Sequence, residues 1–315
     1  MDKTILDEKF NASPCVDVIC CVKNGGDQFT ATIESVLSQT FQNFRFIIVN
    51  DGSTDEITVQ ILKTAEANDS RIIVYHNPVS RGLTANLFIQ VKQSNADFIA
   101  RIDAGDTWLP EKLTKQISVM QNDPSTILLG TQCAYVSRDG ESLGVSRFGE
   151  DDQAIRKDMS IGNGVLSHPS ILFRRSINYR MEFYYSQDLD LYLRASTMGR
   201  LRCLNEPLTV CLIDPDGLTL RRKYLQRKYQ SLAYRSHKSL MTNGREINLS
   251  VSDRAFERKW WALVMPVYHR YMSSRIKKRS AIVWGTYLTA ALILFPPLLG
   301  DYSKRLVRHV LNKNI

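Results

Sequence analysis

The 315-residue chain has six cysteines, and no two of them are spaced as Cys-x-x-Cys. Three of them, Cys15, Cys20 and Cys21, crowd into one apolar run. That pattern matches neither a disulfide framework nor a zinc site, and reads as reduced, buried thiols in a cytoplasmic protein. Five histidines with no His-x-x-His spacing leave little for transition-metal ligation. Neither Gly-x-Gly-x-x-Gly nor the Walker-type glycine loop occurs, so dinucleotide and P-loop phosphate sites are poor candidates. Residues 1–10 carry mixed charge without an apolar core, so no secretory signal peptide is expected there. There is no internal repeat, no low-complexity tract and no recognised nucleic-acid-binding motif.

What is present is a globular composition, 43% hydrophobic and 23% charged, long enough for one large or two ordinary domains. The net charge of +9 hides an asymmetry. Residues 1–220 hold 21 Lys/Arg against 28 Asp/Glu, whereas residues 221–315 hold 20 against 4. A basic tail on an acidic body implies two surfaces with different partners, an anionic membrane among those that suit the tail.

Through residue 130, short apolar runs alternate with helical patterns. Residues 16–22 read as a strand, and Phe29, Ile33, Val36 and Leu37 mark a helix face over 28–39. A second strand over 44–49 ends at Asn50-Asp51-Gly52, after which Ser53 and Glu56 have the spacing of a capping box. A strand at 72–75, a helix through Leu83, Leu87, Phe88 and Val91, and a strand at 98–102 follow. The last ends at Asp103-Ala104-Gly105-Asp106, and Pro110-Glu111 suits a first helical turn. Repeated βα units imply a parallel, helix-covered sheet, in which ligands bind beyond the carboxyl ends of the strands. Asp51 and the Asp103/Asp106 pair fall at two such ends. From 127 to 212 the pattern is mixed, with a turn at Asp139-Gly140 and a helix near 188–196.

Several residues carry candidate chemistry. Asp103 and Asp106 offer hard oxygen ligands to Mg²⁺ or Mn²⁺, or else cap a helix. Asp51 accepts from a nucleobase or ribose, or simply forms a turn. Gln187 and Asp188 open a helix, where an acid either complements the dipole or serves as a general base. His168, before Pro169, contacts an acceptor or shapes a turn. Trp108 and Trp260-Trp261 suit packing, sugar platforms or, for the pair, a membrane interface.

In order and spacing these motifs resemble the inverting glycosyltransferases of family 2, with their GT-A fold. The resemblance rests on Cys21-Val22-Lys23-Asn24-Gly25, Asn50-Asp51-Gly52-Ser53-Thr54-Asp55, Arg81-Gly82-Leu83-Thr84-Ala85-Asn86, Asp103-Ala104-Gly105-Asp106 and Gln187-Asp188. It covers about residues 14–215 and implies a Rossmann-like mixed sheet with flanking helices. A catalytic domain over 1–220 would comprise a donor half (14–130) and an acceptor half (131–220). The resemblance also implies roles. Cys21, Lys23, Asn24, Asp51, Arg81 and Asp103 would line the nucleotide-sugar site, with Asp51 on the base. Asp103 and Asp106 would hold Mg²⁺ or Mn²⁺ on the diphosphate, Asp188 would deprotonate the acceptor, and His168 and Gln187 would lie on the acceptor side. Three positions depart from the family pattern. Lys23 stands where an aromatic often stacks on the base, Gly105 replaces a middle acid, and Gln187 replaces a glutamate.

Residues 280–300 carry no charge and are flanked by basic clusters, about the length a spanning helix needs. The region 221–315 is therefore expected to form basic, membrane-associated helices, monotopic or single-span, on the cytoplasmic face of the inner membrane. A soluble buried helix is the alternative. Together these features imply sugar transfer from a nucleoside-diphosphate sugar, a UDP-sugar by expectation, to a hydroxyl of a polyprenyl-diphosphate-linked glycan. Such an enzyme would serve O-antigen, capsule or exopolysaccharide synthesis, with no nucleic-acid partner. A sugar nucleotidyltransferase and a non-catalytic glycosyltransferase-like scaffold are the competing readings.

Overall fold

A computed structural model describes residues 15–160, 165–213 and 223–245. The Trp260-Trp261 pair and the apolar stretch 280–300 lie outside the described residues. Two compact units divide the chain, residues 1–212 with 229–247, and residues 213–228 with 248–315.

The first unit is built on one mixed sheet. Its parallel half comprises β1 (Val16–Val22), β2 (Phe44–Asp51), β3 (Ile72–Asn77) and β4 (Phe98–Arg101). The helices between them are α1 (Gln28–Leu37), α2 (Glu56–Asn68) and α3 (Leu83–Gln93). β5 (Thr107–Trp108), α4 (Lys112–Asn122), β6 (Thr126–Ser137), β7 (Ser142–Val145) and α5 (Asp152–Ser160) follow. After a short 3₁₀ turn at His168–Ser170 come β8 (Leu172–Arg174), α6 (Gln187–Met198), β9 (Arg200–Ile213) and α7 (Lys223–Asn243). The sheet order is β3-β2-β1-β4-β8-β6-β9-β5, with β7 on β6.

β1 sits between β2 and β4, parallel to both, and reads as an almost unbroken apolar run because both of its faces are covered. Its one charge, Asp17, is fully buried. It is matched by a two-pronged Arg45 contact at 2.7 and 2.8 Å and by the Ser94 hydroxyl at 2.5 Å. The chain steps outward from β1 to β3 and then returns to the other side of β1 as β4. That reversal opens a crevice at the carboxyl ends of β1 and β4.

β8 runs antiparallel to β4, and Arg101 N–H donates to Ile171 O at 3.1 Å. The antiparallel direction brings the start of β8, and the His168 turn before it, beside the end of β4. β6 and β9 extend this half, and a hairpin at Gly140 (φ 79°) joins β6 to β7, as Asp139-Gly140 implies.

Two local expectations change. Ser53 does not cap α2, because its hydroxyl accepts the Asn24 N–H at 3.0 Å. Asp55 is the cap, and its carboxylate accepts from Thr58 N–H at 2.9 Å. α4 starts at Lys112, one residue after Glu111, and the Pro110 carbonyl turns back to accept Thr40 N–H at 2.9 Å. Trp108 is core: its indole N–H donates to Pro169 O at 2.9 Å, and Lys112 Nζ lies 3.8 Å from its ring centroid.

Candidate active site

The crevice receives its groups from four strand or helix ends. At the end of β2, Asp51 is buried and all of its acceptor directions are occupied. Oδ1 takes Asn77 Nδ2 at 2.9 Å and Arg81 N–H at 2.8 Å; Oδ2 takes the Ser80 hydroxyl at 2.6 Å and Gly82 N–H at 3.0 Å. Burial pushes its pKa up, but these hydrogen bonds, led by that of Ser80, outweigh burial and hold it well below the usual carboxylate range. Asp51 thus gathers the loop between β3 and α3. Gly52 (φ 72°) is needed beside it, since a Cβ there would stand 3.0 Å from Ser80 N.

Lys23 is exposed, and so is the Arg81 side chain. Asn24 Oδ1 accepts from Thr54 N–H at 2.8 Å, bracing the loop after β1 against the loop after β2. Cys21 is half-buried at the end of β1, and burial pushes its thiol up to about 12, with the Asp103 and Asp51 charges adding to the rise. It is a neutral thiol lying between the two acids, not a nucleophile.

Beyond β4, Asp103 is half-buried and paired to Arg101 Nη2, while Asp106 is buried and accepts Leu212 N–H at 2.8 Å. Burial, then the Asp103 charge, raises the Asp106 pKa well above the carboxylate range. Among the described residues no three His, Cys, Asp or Glu side chains gather as a metal-binding group.

α6 opens at Ser186, which takes a left-handed backbone (φ 55°). The preceding strand of chain is tied to the donor side, since Thr84 Oγ1 donates to Phe183 O at 2.6 Å. Asp188 is half-buried in that first turn, and Gln187 is buried beside it. Burial raises the Asp188 pKa and the Asp103 charge raises it further; the Leu189 and Asp188 backbone N–H groups oppose. Asp190, two residues on, has a different task. Arg180 and Arg194 both pair with it, fastening α6 to the segment before it. Asp190→Ala would remove the carboxylate shared by two largely buried guanidinium groups and is expected to cost about 3–5 kcal/mol, read as a shift in the denaturant midpoint.

His168 is buried, with Nε2 2.8 Å from the Tyr179 hydroxyl. Burial and then Arg101 lower its pKa to about 3, so it is neutral at physiological pH. The same fields link the rest of the site: Tyr179 and Tyr192 each sense both Asp188 and Asp103. Asp51 and Asp103 thus both act on the Cys21 thiol, and Asp103 and Asp188 both act on Tyr179 and Tyr192. A pH–rate profile should accordingly show an acid limb above the ordinary aspartate value of about 3.9, set by Asp188, and no limb from His168. His168→Gln should leave that limb in place; its disappearance would transfer the role to the imidazole.

Sequence reading missed Arg101, Tyr179 and Tyr192. Arg101 left a signal, a lone charge inside an apolar strand two residues before Asp103. Tyr192 lies one turn beyond Asp188, and its buried hydroxyl has no partner among the described residues.

The profile of Glycosyl transferase family 2 matches residues 17–181. The chain is 29% identical over 185 residues to the O-antigen biosynthesis glycosyltransferase WbnJ of Escherichia coli, covering 57% of this chain and 70% of that one. It is 32% identical over 130 residues to the E. coli UDP-Glc:alpha-D-GlcNAc-diphosphoundecaprenol beta-1,3-glucosyltransferase WfaP, covering 41% and 50%. Two other curated glycosyltransferases are matched over 64% of their own length. Among solved structures, S. aureus TarS 1–349 in complex with UDP superposes with a TM-score of 0.55 at 16% identity, over 92% of this chain and 91% of that one. That likeness is one of fold.

Proposed function

The chain belongs to glycosyl transferase family 2, and from that premise we propose that it transfers a sugar with inversion from a nucleoside-diphosphate donor to a hydroxyl of a lipid-linked glycan. The observation that carries the reading is Asp188. It is a carboxyl raised in pKa by burial, without an ion-pair partner among the described residues, and close enough to Asp103 to feel its charge.

In this mechanism the donor lies across the carboxyl ends of β1, β2 and β4. The loop that Asp51 gathers, Ser80 to Gly82, meets the nucleobase and ribose. A base could reach the Asp51 carboxylate itself only by displacing one of its four present donors. Asp103 would face the diphosphate and would offer a divalent cation a carboxylate; Mg²⁺ and Mn²⁺ suit a site completed by substrate phosphates. Such a cation neutralises charge on the departing diphosphate when bound. Asp188 accepts the acceptor hydroxyl's proton as that oxygen attacks the anomeric carbon, and a raised pKa brings it nearer the working pH of a base. Tyr179, hydrogen-bonded to His168, and Tyr192 are buried and close enough to Asp188 to feel its charge.

The acceptor class is supported by the activity of the relative WfaP and by the basic, apolar-tipped region 221–315. No helix among the described residues is long and apolar enough to cross a membrane. The tail's part is to hold the enzyme peripherally at the cytoplasmic face of the inner membrane through anionic headgroups. Detergent-extracted full chain should release a nucleoside diphosphate from one member of a panel of UDP-, GDP- and dTDP-sugars when given a polyprenyl-diphosphate glycan, with the product anomer inverted by NMR. Release of pyrophosphate from a nucleoside triphosphate instead would mark a nucleotidyltransferase, and retention of the anomeric configuration would remove the single-displacement mechanism.

A further inference from the structure

Spacing leaves open whether Asp103 and Asp106 act together on the cation. We propose that Asp103 alone of the two meets it, with Arg101 as its positioning residue, and that Asp106 is a strut fastening the Asp103 turn to β9. The inference rests on the nucleotide-sugar reading above.

Asp106 is placed by strand chemistry. β5 pairs antiparallel with β9, Thr107 opposite Val210 and Trp108 opposite Thr209. Continued by two residues, that register would bring Gly105 opposite Leu212, but the chain has already left the ladder there. Asp106 N–H donates to Asp103 O at 3.1 Å, and Gly105, at φ 100°, turns its own N–H to Thr32 Oγ1 at 2.9 Å. The Leu212 N–H that the ladder abandons goes to the Asp106 carboxylate at 2.8 Å. The side chain thus stands in for a strand carbonyl. It is 8% exposed, and turning out to a cation would leave that N–H without its acceptor.

Asp103 is the reverse case. Its side chain is 41% exposed, while its partner Arg101 is 1% exposed. Arg101 is fixed from below by its own strand and by Nη1 donating to Ile19 O at 3.3 Å, and its Nη2 holds Asp103 Oδ1. Asp103 Oδ2 has no partner among the described residues. Arg101 Nε is likewise buried without one. One carboxylate plus donor phosphates is a sufficient set for Mg²⁺ or Mn²⁺. A guanidinium already on that carboxylate discourages cation binding until the diphosphate brings further negative charge. The cation therefore arrives with the nucleotide rather than ahead of it.

Calorimetric titrations of the full chain test this, using Mn²⁺ alone and then whichever of UDP, GDP or dTDP binds most tightly, with and without Mn²⁺. Mn²⁺ alone should give no heat at concentrations that saturate the nucleotide complex. Mn²⁺ should strengthen nucleotide binding about tenfold or more in the parent. Asp106→Asn, whose Oδ1 can still accept Leu212 N–H, should keep that gain within about twofold, while Asp103→Asn should abolish it. Arg101→Lys should shrink the gain by a larger factor than it changes metal-free nucleotide affinity, a split that general destabilisation would not produce. Loss of the gain in a folded Asp106→Asn protein, or tight Mn²⁺ binding by the nucleotide-free parent, overturns the proposal. The second measurement needs no variant. If no nucleoside diphosphate binds the parent, the donor reading itself falls and this inference with it.

Discussion

Asp188→Asn is expected to lower turnover by about 10²-fold or more while leaving nucleoside-diphosphate affinity nearly unchanged. The two amino acids have the same shape, and the Leu189 and Asp188 backbone N–H groups that hold the carboxylate can bond the amide oxygen as well. What the variant loses is the ability to take a proton. The donor's groups, Asp51 and its loop on one side and Asp103 on the other, are untouched, so binding of the diphosphate should persist. Steady-state turnover paired with nucleotide titration separates these effects. Turnover within a few-fold of the parent would give the proton to another acceptor, and a parallel loss of affinity would make Asp188 a donor-binding residue.

The neighbouring acid makes the comparison sharper. Asp190 lies two residues along the same helix, is almost fully buried, and is spent on Arg180 and Arg194. Its substitution should appear first as instability, whereas that of Asp188 should appear as lost chemistry in a protein of parental stability. Two carboxylates of one short motif are thus divided by their surroundings.

That division shows where sequence is readable. The β1 and β2 strands are legible because strands covered on both faces must be apolar throughout, and the turns after them must carry polar groups at the sheet's ligand-binding edge. Asp51 and Asp103 stand at that edge for that reason, whereas Asp188, at a helix start, was implied only by the family resemblance. What sequence could not supply depends on partners far along the chain. Ser53 fails as a cap because Asn24, 29 residues earlier, takes its hydroxyl. Asp106 accepts the N–H of Leu212, 106 residues later. Asp190 looks like Asp188 until Arg180 is in place. In each case the local pattern permitted two roles, and a contact outside the motif favours one.

Asp51 yields the second large effect, and it is expected to act through the loop it gathers. With Asp51→Ala, Asn77, Ser80 and the Arg81 and Gly82 amides lose their common acceptor. Ser80 and Arg81 are exposed, so water can replace the carboxylate and the global stability loss should be modest, about 1–3 kcal/mol. The loop would then have to be ordered afresh whenever the donor binds. Backbone ordering costs roughly 1–2 kcal/mol per residue, so two loosened residues are enough to weaken nucleotide affinity by about 10²-fold. Asp51→Asn should be nearly as damaging despite its shape, because its Nδ2 would face N–H donors where an acceptor is required. Ser80→Ala removes one contact of four and should cost far less. Amide hydrogen exchange of Arg81 and Gly82 in the nucleotide-free protein is the deciding measurement, since a residue acting only by touching the base would leave it unaltered. The parent should behave like the variants in acid. Because the fold depresses the Asp51 pKa, the stability it adds is fully present above the unfolded value of about 3.9 and is lost as pH falls through the lower folded value. Exchange at these two amides should therefore rise relative to the core as the parent is acidified, and should show no such dependence in Asp51→Ala. Parental protection of both amides in Asp51→Ala would return the residue to direct contact with the base.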